Sequence, residues 1–268
     1  MKKVIFTVIT GVCIMAGASS CTRVVAASRN YVTRQVETGS FNGISTSNSV
    51  DVVYTQSTGS PRVEIYAPDN EIDRITVETR DGILRVGIKG DNNHKVWGSA
   101  KREVRVSAPA VNSLEASSSG DIILKNSLTS NGNITISVSS SGDVIGDNIS
   151  CTGNIDLSAS SSGDIKAGNM KCRNLTASAS SSGDVKIGTL SCDNFTAYAG
   201  SSGDVVVRML TAQNVKANAN SSGDVKLSGT CVNAELNASS SGYINASGLK
   251  AKNISKSESS SGSVVYGN

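Results

Sequence analysis

Aromatic side chains are scarce in this chain: three Phe, one Trp and six Tyr amount to 4% of its 268 residues. That leaves few rings for stacking on sugars in an enzymatic cleft. Histidine occurs once, at His94, so a Ser/His/Asp triad would have to include it. It stands in a polar stretch (Asp91-Asn92-Asn93-His94-Lys95) with no nucleophile motif nearby, as a solvated loop histidine would. No phosphate-cradling glycine loop with lysine, no zinc spacing and no dinucleotide fingerprint is present. Charge of one sign is lacking too. Setting Lys2 and Lys3 aside from 25 basic residues leaves 23 against 22 acidic ones. Nucleic acid needs a basic face to displace counterions, so that partner class is excluded. Past the first fifteen residues, no run is apolar enough to cross a membrane.

What is present begins with an export segment. Lys2 and Lys3 precede an apolar run, Val4 to Met15, and small residues Ala16 to Ser20 lead into Cys21. This pattern predicts a lipoprotein signal peptide over 1–20, with Cys21 lipidated and a tether over 21–37. Each buried methylene of an acyl chain adds about 0.8 kcal/mol of membrane attachment. The reading places the chain in the cell envelope, as an outer-membrane lipoprotein on the surface or facing the periplasm. Thr22 and Arg23 follow the cysteine instead of the acidic residues common in surface-exported lipoproteins, which leaves the orientation open.

Ser, Asn, Ala and Gly abound, a composition that alone would allow disorder. Their order decides otherwise. Ser-Ser-Ser-Gly or a close variant ends at Gly120, Gly142, Gly163, Gly183, Gly203, Gly223, Gly242 and Gly262, with spacings of 22, 21, 20, 20, 20, 19 and 20. A repeat of this length without helical periodicity predicts a β-solenoid, each coil stacked on the last. Two residues after each glycine stands a β-branched residue: Ile122, Val144, Ile165, Val185, Val205, Val225, Ile244 and Val264. Side chains alternate along a strand, so these point inward. A second apolar row (Ile149, Met170, Leu190, Leu210, Leu249) and a row of Cys151, Cys172, Cys192, Ala212, Cys231 and Ala251 follow. An asparagine recurs at 133, 154, 174, 194, 214, 233 and 253, and stacked amides can form hydrogen-bonded ladders. Three strands per coil are expected, with corners at the serine-glycine turn, near Gly168 or Gly188, and at the asparagine. Gly and Asn are expected to supply left-handed backbone there. Eight coils at about 4.8 Å make a rod of roughly 40 Å.

The fold expected is therefore all-β, a parallel β-helix over 38–268. Residues 111–268 carry the repeats, and 38–110 form wider, less regular coils or a β cap. At the far end Lys256 and Glu258 replace inward alanines, as suits a coil where stacking stops.

Among candidate sites, the most suggestive row is the acid after the turn glycine: Asp121, Asp143, Asp164, Asp184, Asp204 and Asp224. On successive coils these carboxylates lie about 5 Å apart and repel by roughly 1 kcal/mol per pair in water, several times more near a protein surface. Lys166, Lys186 and Lys226, two residues on, partly offset this. The functional reading is a cation or ligand ladder taking Ca²⁺. The favoured reading is a turn preference repeated by duplication. The cysteine row allows a disulfide between Cys172 and Cys192 on adjacent coils, but parallel inward side chains favour reduced, buried thiols. Exposed Tyr198 and Tyr243 are further candidates for ligand contact.

The chain resembles the DUF2807 family of autotransporter adhesins with a head GIN domain, Bacteroidota-type lipoproteins. The likeness rests on Phe41, Ile44, Val50-Asp51-Val52 and Asp81-Gly82-Ile83-Leu84, and on the SSSGD-type turns from Ser117 to Gly262. It implies a pectin-lyase-like β-helix, no catalytic residues, no cofactor and a role in cell adhesion. Adhesin relatives suggest a homotrimer. The function expected is a non-catalytic binding scaffold whose partner is a host or bacterial surface glycan or protein. The alternatives are a periplasmic ligand-binding or envelope-stress module and, less favoured, a polysaccharide-active enzyme. Against the last stands a uniform ladder where a cleft would need one distinct carboxylate pair.

Overall fold

The computed structural model describes residues 23–90, 94–97 and 100–267, without the side chains of 23–25 and 94–97. The expected signal peptide, Cys21 and Thr22 lie outside these residues, as does the His94 side chain.

The inward rows read from the sequence set the architecture. Ile122, Val144, Ile165, Val185, Val205, Val225 and Ile244 are fully buried, stacked one above another. Fully burying such a side chain contributes about 1.5–3 kcal/mol, so this column stabilises every coil. Its strands pair in parallel from Glu103–Ala108 through Asp51–Gln56, Ile122–Leu124, Val144–Cys151, Ile165–Lys171 and Val185–Ser191. The column continues through the starts of Asp204–Ala219, Asp224–Ala238 and Tyr243–Glu258 to Ser263–Tyr266. A second parallel column runs from Ile83–Ile88 through Gly43–Thr46, Ser113–Ala116, Ile134–Val138, Asn154–Ser160, Asn174–Ser180 and Asn194–Gly200. It ends in the later halves of the same long strands. The result is a parallel β-solenoid of about eight turns. Phe195, Leu175 and Ile155 fill one inner layer, and small Ala177, Ala179, Ala197 and Ala199 let the walls approach in another.

Two of the three expected corners are bends within continuous pairing. At the second, register passes from Gly146↔Ala167 to Asn148↔Asn169, leaving Gly168 out of the ladder. From Asp204 onward one strand runs through both bends.

The serine-glycine corner corrects the expectation about glycine. The left-handed residues are the two serines before it, such as Ser140 (φ 50°) and Ser141 (φ 69°), in all eight turns. Gly142 N–H donates to the Ser139 carbonyl at 3.0 Å, and the other seven turns close likewise, which gives the type I′ turn. The glycine is required by crowding. A Cβ on Gly183 would lie 2.5 Å from Ser160 N and 2.7 Å from Ala159 C in the coil below.

The less regular part comprises two parallel rungs with antiparallel strands laid against them. Arg62–Pro68 pairs antiparallel with Glu103–Ala108, Tyr31–Val36 pairs antiparallel with Arg62–Pro68, and Ile75–Arg80 pairs antiparallel with Ile83–Ile88. Antiparallel strands cover an edge that a parallel stack leaves open. Tyr31–Val36 thus belongs to the folded body, although it falls in the expected tether. His94 opens a short strand paired in parallel with Arg23–Ala26, where a loop is expected.

Candidate functional site

The turn fixes each aspartate at the same point of its coil, so all six stand in one row. Four of their carboxylates are tied to the backbone of the next coil. Asp143 N–H donates to Asp121 Oδ1 at 2.9 Å, Asp164 N–H to Asp143 Oδ1 at 2.9 Å, Asp184 N–H to Asp164 Oδ1 at 3.2 Å and Asp204 N–H to Asp184 Oδ1 at 3.1 Å. The row begins one rung earlier than the sequence reading has it, because Asp121 N–H donates to Asp51 Oδ1 at 3.2 Å. Asp51 lacks the repeat's signature because Asn48-Ser49-Val50 replaces Ser-Ser-Gly. The signal is nonetheless there: Asn48 and Ser49 have φ of 59° and 58°, as the turn serines do. The stitch ends at Asp224, whose N–H donates to the Gly203 carbonyl, and the next residue in register is Tyr243.

From Asp143 to Asp224 the second carboxylate oxygens face lysine. Lys166 Nζ lies 3.0 Å from Oδ2 of both Asp143 and Asp164, Lys186 lies 2.7 Å from Asp184, and Lys226 lies 3.1 Å from Asp224 and 3.6 Å from Asp204. These contacts hold the Lys186 and Lys226 ammonium groups above the usual lysine range, and at Lys166 they outweigh the opposing burial. Burial pushes the carboxyls of Asp51, Asp121 and Asp204 up. Among the described residues no three His, Cys, Asp or Glu side chains are grouped to hold a metal ion.

A second ladder runs along the asparagine corner. Asn174 Nδ2 donates to Asn154 Oδ1 at 2.8 Å, and Asn194, Asn214, Asn233 and Asn253 each donate to the one below at 2.6–2.9 Å. Beside it lies a shallow trough lined by Thr196, Lys216, Glu235 and Ile254. Lys216 and Glu235 pair there at 2.9 Å. The adjoining outward row holds Ser178, Tyr198, Asn218 and Asn237, with the Tyr198 ring 46% exposed. Tyr243 is half-buried.

The four cysteines are free and buried. Burial pushes the Cys172 and Cys192 thiols up to about 12 and raises those of Cys151 and Cys231. Thiols so held are poor nucleophiles.

Against known proteins, the family model described as "Putative auto-transporter adhesin, head GIN domain" matches residues 40–208 and 187–266. Solved structures with the same fold include a "putative lipid binding protein" from Parabacteroides distasonis, 23% identical, with a TM-score of 0.76 over 90% of this chain and 98% of that one. A "putative adhesin" from Parabacteroides merdae is 20% identical, with a TM-score of 0.74 over 90% and 98%. Another from Bacteroides fragilis is 22% identical, with a TM-score of 0.60 over 88% and 99%. No curated protein matches. At these identities the likeness is one of fold. These descriptions speak of adhesion or lipid binding, and a binding role is the common ground.

Proposed function

Because the chain belongs to the DUF2807 family, we propose that it is an exported lipoprotein serving as a non-catalytic adhesive scaffold of the cell envelope. Cys21 carries the lipid and holds the antiparallel end of the solenoid to the outer membrane, and the rod projects from it. The observation that carries this reading is the uniformity of the outward rows. Aspartates and asparagines repeat from coil to coil, with lysines beside the aspartates on three of the coils, and are bonded to one another. A surface of that kind makes many weak contacts with a long polar partner and concentrates no chemistry at one point. The partner proposed is a surface glycan, laid along the trough beside the asparagine ladder, with the exposed Tyr198 in the adjoining row.

The interior bears on the lipid-binding description of one relative. The inner columns are filled by buried side chains, so a bound lipid would have to lie on the outside of the rod. Glycan-array and cell-binding measurements, comparing the unaltered chain with Tyr198→Ala, test the adhesive reading. Binding that is lost in the variant supports it, and turnover of any polysaccharide in the same panel would overturn it. Acyl labelling of Cys21→Ser and protease treatment of intact cells test the anchor and its side of the membrane.

A further inference from the structure

The distal end of the stack carries an edge that the coils below do not. Tyr243–Glu258 is paired along its whole length with Asp224–Ala238, but on its other side only 243–246 pairs with a strand, Ser263–Tyr266, beyond which Gly267 lies against Ser247 and leaves 252–258 open. Among the described residues no strand covers 247–258. The Tyr266 hydroxyl satisfies the Ala251 N–H at 3.0 Å, and residues 252–261 are all exposed. Ile254 is in register with buried Ala234 yet 41% exposed. An uncovered strand of this length presents a row of backbone donors and acceptors ready to pair.

Its side chains specify with what. Lys256 and Glu258 occupy inward positions, in register with buried Leu236 and Ala238. A further coil carrying alanines there would bury both charges without partners, which is costly. An antiparallel neighbour of the same sequence meets them differently. With Ser257 opposite its own copy, Lys256 faces Glu258 of the second chain and Glu258 faces its Lys256. A two-fold contact must be self-complementary in this way. Glu258 keeps Oε1 on the Val264 N–H and has its other oxygen for the new pair. We propose that the distal edge is a self-pairing surface at which two copies join tip to tip, antiparallel about Ser257. Resting on the anchored reading above, this makes the partner a second copy on a facing membrane, so that the contact bridges two surfaces.

The test uses the full chain in detergent. Sedimentation velocity is expected to give the mass of two chains, and K256E, which sets glutamate against glutamate, to give one. The double variant K256E/E258K is expected to restore two. Ser257→Cys is expected to form a disulfide-linked dimer on oxidation, whereas Asn218→Cys, two coils below the tip, does not. Circular dichroism confirms that each variant is folded. A single-chain or trimer mass, or a dimer indifferent to K256E, overturns the proposal. The full chain on liposomes separates this from the anchor: a dimer in detergent without vesicle clumping retains the pairing and sinks the bridging of two anchored surfaces.

Discussion

Asp143 donates its main-chain N–H to the Oδ1 of Asp121, 2.9 Å away in the coil below, while its own carboxylate accepts from Asp164 and pairs with Lys166. One residue thus joins three coils. Asp143→Ala removes the acceptor for the Asp164 N–H and one of two partners of Lys166. A loss of about 1–3 kcal/mol is expected, read as a lower urea midpoint. Asp143→Asn keeps the acceptor and is expected to lose less than half as much.

Asp121 is expected to behave in the opposite sense. Among the described residues no lysine lies within ion-pair distance of it, and burial raises its carboxyl, as it does for Asp51 and Asp204. Between the ordinary aspartate pKa and the raised one, the folded chain holds more protons than the unfolded chain. Stability from these groups is therefore full below the ordinary value and falls as pH rises through the raised one. Asp121→Asn keeps an acceptor and removes the charge. Its melting temperature is expected to exceed that of the unaltered chain at pH 7, by the equivalent of under about 1 kcal/mol after solvent screening. That gain is expected to disappear below about pH 4. Melting curves from pH 3 to 7 check both limbs.

The turns offer a separate test of local strain. Each exposed serine pair holds two left-handed residues, at a cost of roughly 1 kcal/mol per residue. Ser181→Asn with Ser182→Gly supplies the residues a type I′ turn favours and is expected to raise stability by about 1 kcal/mol. Gly183→Ala, which drives a methyl into the backbone of the coil below, is expected to cost about 1–3 kcal/mol. Thermal unfolding of the two variants should move in opposite directions.

Calcium is expected to leave the melting temperature unchanged, because most of the ladder oxygens already accept N–H groups or face lysine. A rise with added calcium would revive the cation-strip reading.

Cys172 and Cys192 are expected to resist maleimide at pH 8 in the folded protein and to react fully in denaturant, since thiols held near 12 yield almost no thiolate. Mass spectrometry of the labelled chain distinguishes the two states.

The solenoid was legible because its rule is repeated: β-branched residues two places after each turn glycine fix the inward column, and they prove fully buried from Ile122 to Ile244. The asparagine ladder and the lysines beside the aspartates followed from the same register. Crowding was not legible. That Gly183 is needed for the space below it, and that serines carry the left-handed backbone, depends on the distance between coils, which no single repeat reveals. The antiparallel flank at Tyr31–Val36 was hidden for a related reason. It occurs once, and one alternating stretch does not say which strand it joins.

The repeated interior also bears on how such a rod changes length in evolution. Because Val185 sits in the slot of Ile165 and Ala197 in that of Ala177, each period is interchangeable with its neighbour. Unequal recombination that drops or gains one twenty-residue unit leaves every remaining coil seated on an equivalent floor. The reach of the molecule can then be retuned in steps of about 4.8 Å, while the charged tip and the antiparallel base stay as they are.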